Sequence, residues 1–108
     1  MEIKLLYFEG CPSWQNALIS LQKIIKDEDL SFPVNLVEVK SDSEAITEKF
    51  LGSPSFQVNG QDFWPDDRES YSMYCRIYNT PQGLKGWPTD GMLRQRLLEF
   101  LKEMDQSK

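Results

Sequence analysis

The sequence predicts a single α/β domain in which helices cover both faces of a mixed four-stranded sheet. Two observations carry this prediction. Short runs rich in β-branched and aromatic residues, typical of buried strands, alternate with segments whose apolar residues recur at helical spacing. The dipeptide Asn59-Gly60 separates two further strand-like runs and supplies the positive φ angles of a type I′ hairpin turn. The predicted order is β-α-β-α-β-β-α, with a long insert before the last helix.

The first strand and the first helix follow from the N-terminal pattern. Residues 3–8 are a short apolar run bounded by Gly10, which predicts a buried strand. Pro12 suits the first turn of the next helix, where its missing N–H is not needed. The acidic residues 27–29 end this helix. Its wide apolar face contains Trp14, Ala17, Leu18, Leu21, Ile24 and Ile25.

A second strand and a short second helix are predicted next. The run FPVNLVEVK has apolar residues on both faces, as in a strand that helices cover on each side. Ser41 and Glu44 have the spacing of a capping box, so a helix is expected over 43–50, with Gly52 at its C-terminal end. Because a helix joins the two strands, the crossover rule makes them parallel.

The second half of the chain contains the hairpin, whose strands are antiparallel, then the insert and the last helix. The insert, residues 65–88, is longer than a compact fold requires, and its aromatic content distinguishes it from a disordered linker. Tyr71, Tyr74 and Tyr78 have helical spacing, although the stretch also suits a strand. Thr89 or Asp90 is the expected N-cap of the last helix, with fraying from about residue 105. Its apolar face contains Met92, Leu93, Leu97, Leu101 and Met104.

Composition and charge exclude several classes of function. The 108 residues suffice for one domain with its own core. Twelve Lys and Arg against seventeen Asp and Glu give a net charge of −5, which offers no basic stripe for nucleic acid or an anionic membrane surface. The apolar runs are shorter than a membrane span, and the N-terminus lacks a signal-peptide pattern, so a cytoplasmic protein is expected. Histidine, the commonest general base and metal ligand, is absent.

Two motifs lie at corresponding turns of the predicted fold. GCPSW places Cys11 between the first strand and the first helix, and GSPSFQVNG places Pro54 at the start of the hairpin. Together with the order of elements, these motifs resemble the thioredoxin-like superfamily in its compact, glutaredoxin-like form. The pair of motifs also looks like that of small bacterial thioredoxin-like proteins with a Gly-Cys-Pro-x-x turn. The resemblance covers residues 1–64 and 89–104, and it implies a thioredoxin-like fold and thiol-redox chemistry.

Cys11 is the candidate nucleophile. A thiol at a helix N-terminus lies near unpaired backbone N–H groups and the positive end of the helix dipole, and both favour the reactive thiolate. The alternative is a small buried apolar side chain without chemistry. The resemblance implies attack on a disulfide, a peroxide or a mixed disulfide. However, Trp14 stands where Cys-x-x-Cys proteins carry the thiol that releases the substrate.

The resemblance also implies a substrate site around the nucleophile. The Ser53–Pro54 bond would be cis and face the thiol, and the Ser53 backbone would bond an extended, thiol-bearing substrate. An ordinary trans proline at the first position of an edge strand is the alternative. Pro12, Ser13 and Trp14 would line the same site, although packing on the sheet also accounts for Trp14.

The insert contains the second cysteine, Cys75, and next to it Arg76. In the fold that the sequence resembles, this connection passes near the start of the first helix, so Cys75 is a candidate for the missing resolving thiol. Arg76 is a candidate for stabilising a thiolate or binding the carboxylate of a small thiol such as glutathione, acting as co-substrate. The alternatives are a Cys75 buried under tyrosines and an Arg76 in a surface ion pair.

The leading interpretation is a thiol-redox protein without a resident cofactor, acting on a thiol- or disulfide-bearing protein or small molecule. An alternative of another class is a non-catalytic adaptor that binds through the aromatic insert, with a homodimer as one arrangement. A third is soft-metal handling by Cys11 across a dimer, since thiolates suit soft metals. Two thiols without histidine do not complete a tetrahedral zinc site within one chain.

Overall fold

The computed structural model describes residues 2–65 and 71–106, with side chains as far as Glu103. Residues 66–70 of the insert, residues 107–108 and the side chain of Met104 lie outside the described residues. The elements of the described chain are β1 (Ile3–Tyr7), α1 (Trp14–Asp27), β2 (Val34–Glu38), α2 (Asp42–Glu48), β3 (Ser55–Val58), β4 (Gln61–Asp62), β5 (Tyr78–Thr80), β6 (Gly83–Lys85) and α3 (Asp90–Gln106).

β1 lies in the interior of a four-stranded sheet whose order is β2-β1-β3-β4. β1 and β2 are parallel, whereas β3 is antiparallel to both β1 and β4. Leu5 is opposite Leu36 in β2 and Phe56 in β3. Asn59 and Gly60 have φ angles of 52° and 85°, as the hairpin turn requires. The mixed α/β class, the parallel β1–α1–β2 unit and the hairpin are therefore confirmed.

The predicted burial of the second strand was wrong. β2 is an edge of the sheet, its residues are exposed or half-buried, and Leu36 is 47% exposed. The burial of an edge strand depends on how far the neighbouring helices extend over it. Apolar residues on both faces of a short run do not contain that information.

The helices cover both faces of the sheet, as predicted. Successive strand residues point to opposite faces. Leu5 packs in one core cluster with Leu21 of α1 and Leu97 of α3, whereas Leu6 packs in a second cluster with Ala45 of α2. β1 is therefore buried on both sides, and this fixes the position of the turn that follows it.

α2 has the predicted N-terminal cap but ends earlier than predicted. The Ser41 hydroxyl accepts the Glu44 N–H at 3.1 Å, and the Glu44 carboxylate accepts the Lys40 N–H at 2.8 Å. The helix ends at Glu48, and Lys49 follows it in the left-handed conformation. Gly52 is therefore not the C-terminal residue of this helix. Its φ of 111° belongs to the segment that leads into the cis proline.

The described part of the insert contains no helix, so the helical spacing of its tyrosines is coincidental, and its regular structure is an isolated bridge at Cys75 and two short strands. Tyr78 begins β5, which pairs with β6 in a separate two-stranded sheet. Thr89 caps α3 by accepting the Met92 N–H at 3.1 Å. α3 continues to Gln106, past the residue at which the sequence predicts fraying.

Candidate functional site

Cys11 lies in the turn between β1 and α1. Its backbone N–H donates to the Phe8 carbonyl at 3.1 Å, which closes the turn after the strand, and α1 begins three residues later at Trp14. The side chain is only 2% exposed. The Cys11 thiol donates a hydrogen bond to the Ser53 carbonyl at 3.4 Å. The Cys11 thiol therefore points at the segment that contains the GSPSFQVNG motif.

The Ser53–Pro54 peptide bond is cis, the isomer that the sequence resemblance implies. Ser53 is fully buried, and its hydroxyl accepts the Phe8 N–H at 3.3 Å, which holds it beside the end of β1. The Pro54 carbonyl accepts a hydrogen bond from the Tyr78 hydroxyl at 2.5 Å. Burial raises the pKa of Tyr78 above its ordinary value, so this hydroxyl remains a donor. The two motifs therefore meet at one place.

Cys75 also reaches this place, because residues 74–76 of the insert run alongside Ser53. We call these three residues the strap. The Ser53 N–H donates to the Tyr74 carbonyl at 2.8 Å, and the Arg76 N–H donates to the Ser53 carbonyl at 2.9 Å. This is a parallel bridge between Ser53 and Cys75. It brings the exposed Cys75 to the residue whose carbonyl accepts the Cys11 thiol, and both thiols are free.

The contact between the thiols changes the acidity of Cys75. The hydrogen bond to Cys11 raises the pKa of Cys75 to about 11, and burial and the charge of Cys11 act in the same direction. Cys75 is therefore a protonated donor at neutral pH. The Cys11 sulfur is its acceptor.

We predict that replacing Cys11 by Ala lowers the pKa of Cys75 from about 11 towards its ordinary value, because the largest cause of the rise is removed. The rate of Cys75 alkylation by iodoacetamide against pH, followed by peptide mapping in both proteins, measures this. The denatured protein supplies the reference value. An unchanged midpoint in Cys11→Ala would contradict the thiol–thiol hydrogen bond.

Arg76 does not direct its guanidinium at the thiols. It donates to both oxygens of Asp62, at 3.1 and 3.2 Å, to Ser55 Oγ at 3.3 Å and to the Trp64 carbonyl at 2.8 Å. The residue is 9% exposed, and the guanidinium carbon lies 4.9 Å from the centre of the Tyr78 ring. The expected contact with a substrate carboxylate is therefore replaced by a buried ion pair that anchors the strap.

The three residues after Cys11 have different environments. Pro12 is exposed beside Cys11, and Ser13 is half-buried beside Gly86, where an added Cβ would collide with the Ser13 hydroxyl. Trp14 stacks on Tyr7, with ring centres 4.1 Å apart and an angle of 21° between the planes. Packing on the sheet thus accounts for Trp14.

Two residues that position the strap were not predicted from the sequence. Gly52 lets it pass closely, because a Cβ at Gly52 would lie 2.8 Å from the Cβ of Arg76. Asp62 holds the guanidinium and also accepts the Trp64 N–H at 2.8 Å. The available signal was an acidic residue inside a predicted strand, at a position where a charge needs a buried partner.

A scan against protein-family models, a search of curated proteins and a search of solved structures each found no match. In the part of the chain that the structure describes, no helix is long and apolar enough to cross a membrane. Residues 2–65 and 71–106 also contain no group of three or more Cys, Asp or Glu side chains that could hold a metal ion. The fold and the site thus define a class: a small mixed α/β protein with two adjacent free thiols before a helix.

Proposed function

We propose that this protein has a thioredoxin-like fold and works as a thiol-redox protein, with Cys11 as nucleophile and Cys75 as resolving thiol. The meeting of the two cysteines at Ser53 is the observation that carries this proposal, because Cys11 bonds the Ser53 carbonyl and Cys75 is paired with Ser53 in the bridge. The cis Ser53–Pro54 bond beside Cys11 and the sheet order β2-β1-β3-β4 support it. Cys75 lies opposite Ser53 in the bridge and supplies the thiol that the GCPSW motif lacks.

The reaction with a disulfide has two steps. The Cys11 thiolate attacks one sulfur of the substrate, a bond forms between those sulfurs, and the other half of the substrate leaves as a thiolate. Cys75 then attacks the Cys11 sulfur and forms the Cys11–Cys75 bond, and the second half leaves and takes up the Cys75 proton. Two electrons pass from the two thiols to the substrate, and an external thiol such as glutathione reduces the enzyme again.

The change in the pKa of Cys75 during the reaction determines the order of the two steps. Two of the causes that raise the pKa of Cys75, the hydrogen bond to Cys11 and the charge of Cys11, exist only while Cys11 is a free thiol. When Cys11 enters a mixed disulfide, both disappear, and the pKa of Cys75 falls towards its ordinary value. Cys75 is therefore a weak nucleophile before the first step and a stronger one after it.

We expect the wild-type protein to release both glutathione molecules after it reacts with glutathione disulfide. The Cys75→Ser protein should instead retain one glutathione as a mixed disulfide on Cys11. Cys75 is the only other thiol in the chain, so its removal stops the second step. Intact-protein mass and peptide mapping distinguish the products. If the wild-type protein also retains glutathione on Cys11, Cys75 does not resolve it. If neither protein reacts, the redox function is wrong.

A second candidate is a non-catalytic binding protein. Ile77 and Leu84, both in the insert, are 67% and 71% exposed, which favours a contact surface there. The same experiment separates the candidates, because a protein that only binds leaves glutathione disulfide unreacted.

A further inference from the structure

The backbone of Ser53 is fully hydrogen-bonded by the chain itself. Its N–H donates to Tyr74, and its carbonyl accepts both the Arg76 N–H and the Cys11 thiol. A carbonyl oxygen has two lone pairs and an amide one proton, so these three bonds use the full capacity of both groups. A polypeptide that binds as an added strand needs such groups unpaired. The strap therefore occupies the position that an extended substrate would take next to Cys11.

The strap is anchored on its far side as well as at Ser53. The Arg76 guanidinium and the Asp62 carboxylate form an ion pair whose side chains are 10% and 6% exposed. Gly52 allows close packing against the Arg76 backbone, and Tyr78, two residues further, bonds the Pro54 carbonyl. Lifting the strap would expose this ion pair and break the backbone bonds together. It therefore stays in place when a substrate approaches.

We infer that the strap restricts the substrates of Cys11 to small disulfides and peroxides and excludes extended polypeptides. This inference rests on the proposed redox function. Cys11 is covered, but its neighbour Cys75 is exposed. In this inference the route to the Cys11 sulfur passes the exposed Cys75 side chain, which can change its rotamer while the strap keeps its backbone bonds. A small molecule can use that route, whereas a chain with residues on both sides of its cysteine collides with the strap.

Two probes of equal chemistry and different size test this inference. Both are mixed disulfides with thionitrobenzoate, one formed by free cysteine and the other by a peptide with four residues on each side of its cysteine. Single-turnover release of the coloured thiolate is measured with Cys75→Ser, which keeps the strap but stops the second step. We expect the cysteine probe to react roughly tenfold faster or more, because the peptide must replace two backbone hydrogen bonds.

Arg76→Met serves as the loosened strap. Arg94→Met is its matched control, since the ion pairs of Arg94 with Asp27 and Glu28 are partly exposed. Placed in the Cys75→Ser protein, Arg76→Met should reduce the ratio of the two rates, and Arg94→Met should leave it unchanged. Urea unfolding curves show whether each variant is folded under the assay conditions, because an unfolded chain would expose Cys11 to both probes equally. Restoration of the ratio by Arg76→Lys would support the positioning role of Arg76.

The outcomes separate the inference from the proposed function. Equal rates of the two probes on Cys11, with the strap intact, would overturn the inference and leave the redox function standing. No reaction of either probe would overturn both. The rate ratio in Cys75→Ser decides the inference by itself, so the test stands even if Arg76→Met does not fold.

Discussion

Mild oxidation with peroxide is expected to convert the two free thiols into one intramolecular Cys11–Cys75 disulfide. Cys11 would form a sulfenic acid and release water, and Cys75 would then displace hydroxide from that sulfur, with a second water as product. A disulfide requires Cα atoms within about 7 Å, and the parallel bridge holds Cys75 opposite Ser53, which itself bonds Cys11. The effect is large, because it changes both cysteines in every molecule.

Mass spectrometry of the oxidised protein should show the loss of two hydrogens and a linked pair of peptides. In Cys75→Ser the sulfenic acid has no partner, so Cys11 should proceed to sulfinic acid. In Cys11→Ser, no intramolecular disulfide should form, since Cys11 is the only other thiol in the chain. Sulfinic acid on Cys11 of the wild-type protein, with Cys75 still reduced, would contradict resolution by Cys75.

The sequence was sufficient for the three helices and the four strands of the main sheet, but not for the second sheet of β5 and β6, and the resemblance was sufficient for the meeting of the two motifs. Local patterns determine the hairpin at Asn59-Gly60, the cap at Ser41 and the two faces of β1, because each depends on neighbouring residues. The exposed edge of β2 and the end of α2 were predicted incorrectly, since both depend on contacts with distant segments. Lys49, and not Gly52, follows the last residue of α2. Gly52 instead allows the strap to pack closely against the segment before Pro54.

The arrangement of the site was harder to predict than its members. Cys75 approaches Cys11 because the strap pairs with Ser53, and that pairing depends on Gly52 and on the Arg76–Asp62 ion pair. These residues are far from Cys11 along the chain, and no local pattern relates them. The same pairing turns Ser53 from an expected substrate-binding residue into a partner of the chain's own strap.

The second large effect is expected from Arg76→Met, which should lower the free energy of unfolding by about 3–5 kcal/mol. The ion pair is almost completely buried, and the Asp62 carboxylate would lose the guanidinium charge that balances it. Methionine has a similar length, so the loss of packing is small compared with the loss of charge balance. Equilibrium unfolding in urea, followed by tryptophan fluorescence, gives the difference.

Two further variants establish that the charge is responsible. The double variant Arg76→Met, Asp62→Leu removes both charges and should recover a large part of the loss, because a buried pair replaced by apolar residues costs little. Arg94→Met breaks exposed ion pairs and should cost at most about 1 kcal/mol. If Arg76→Met were no more costly than Arg94→Met, the ion pair would not anchor the strap. The position of Cys75 beside Cys11 would then depend on the Ser53 backbone bonds alone.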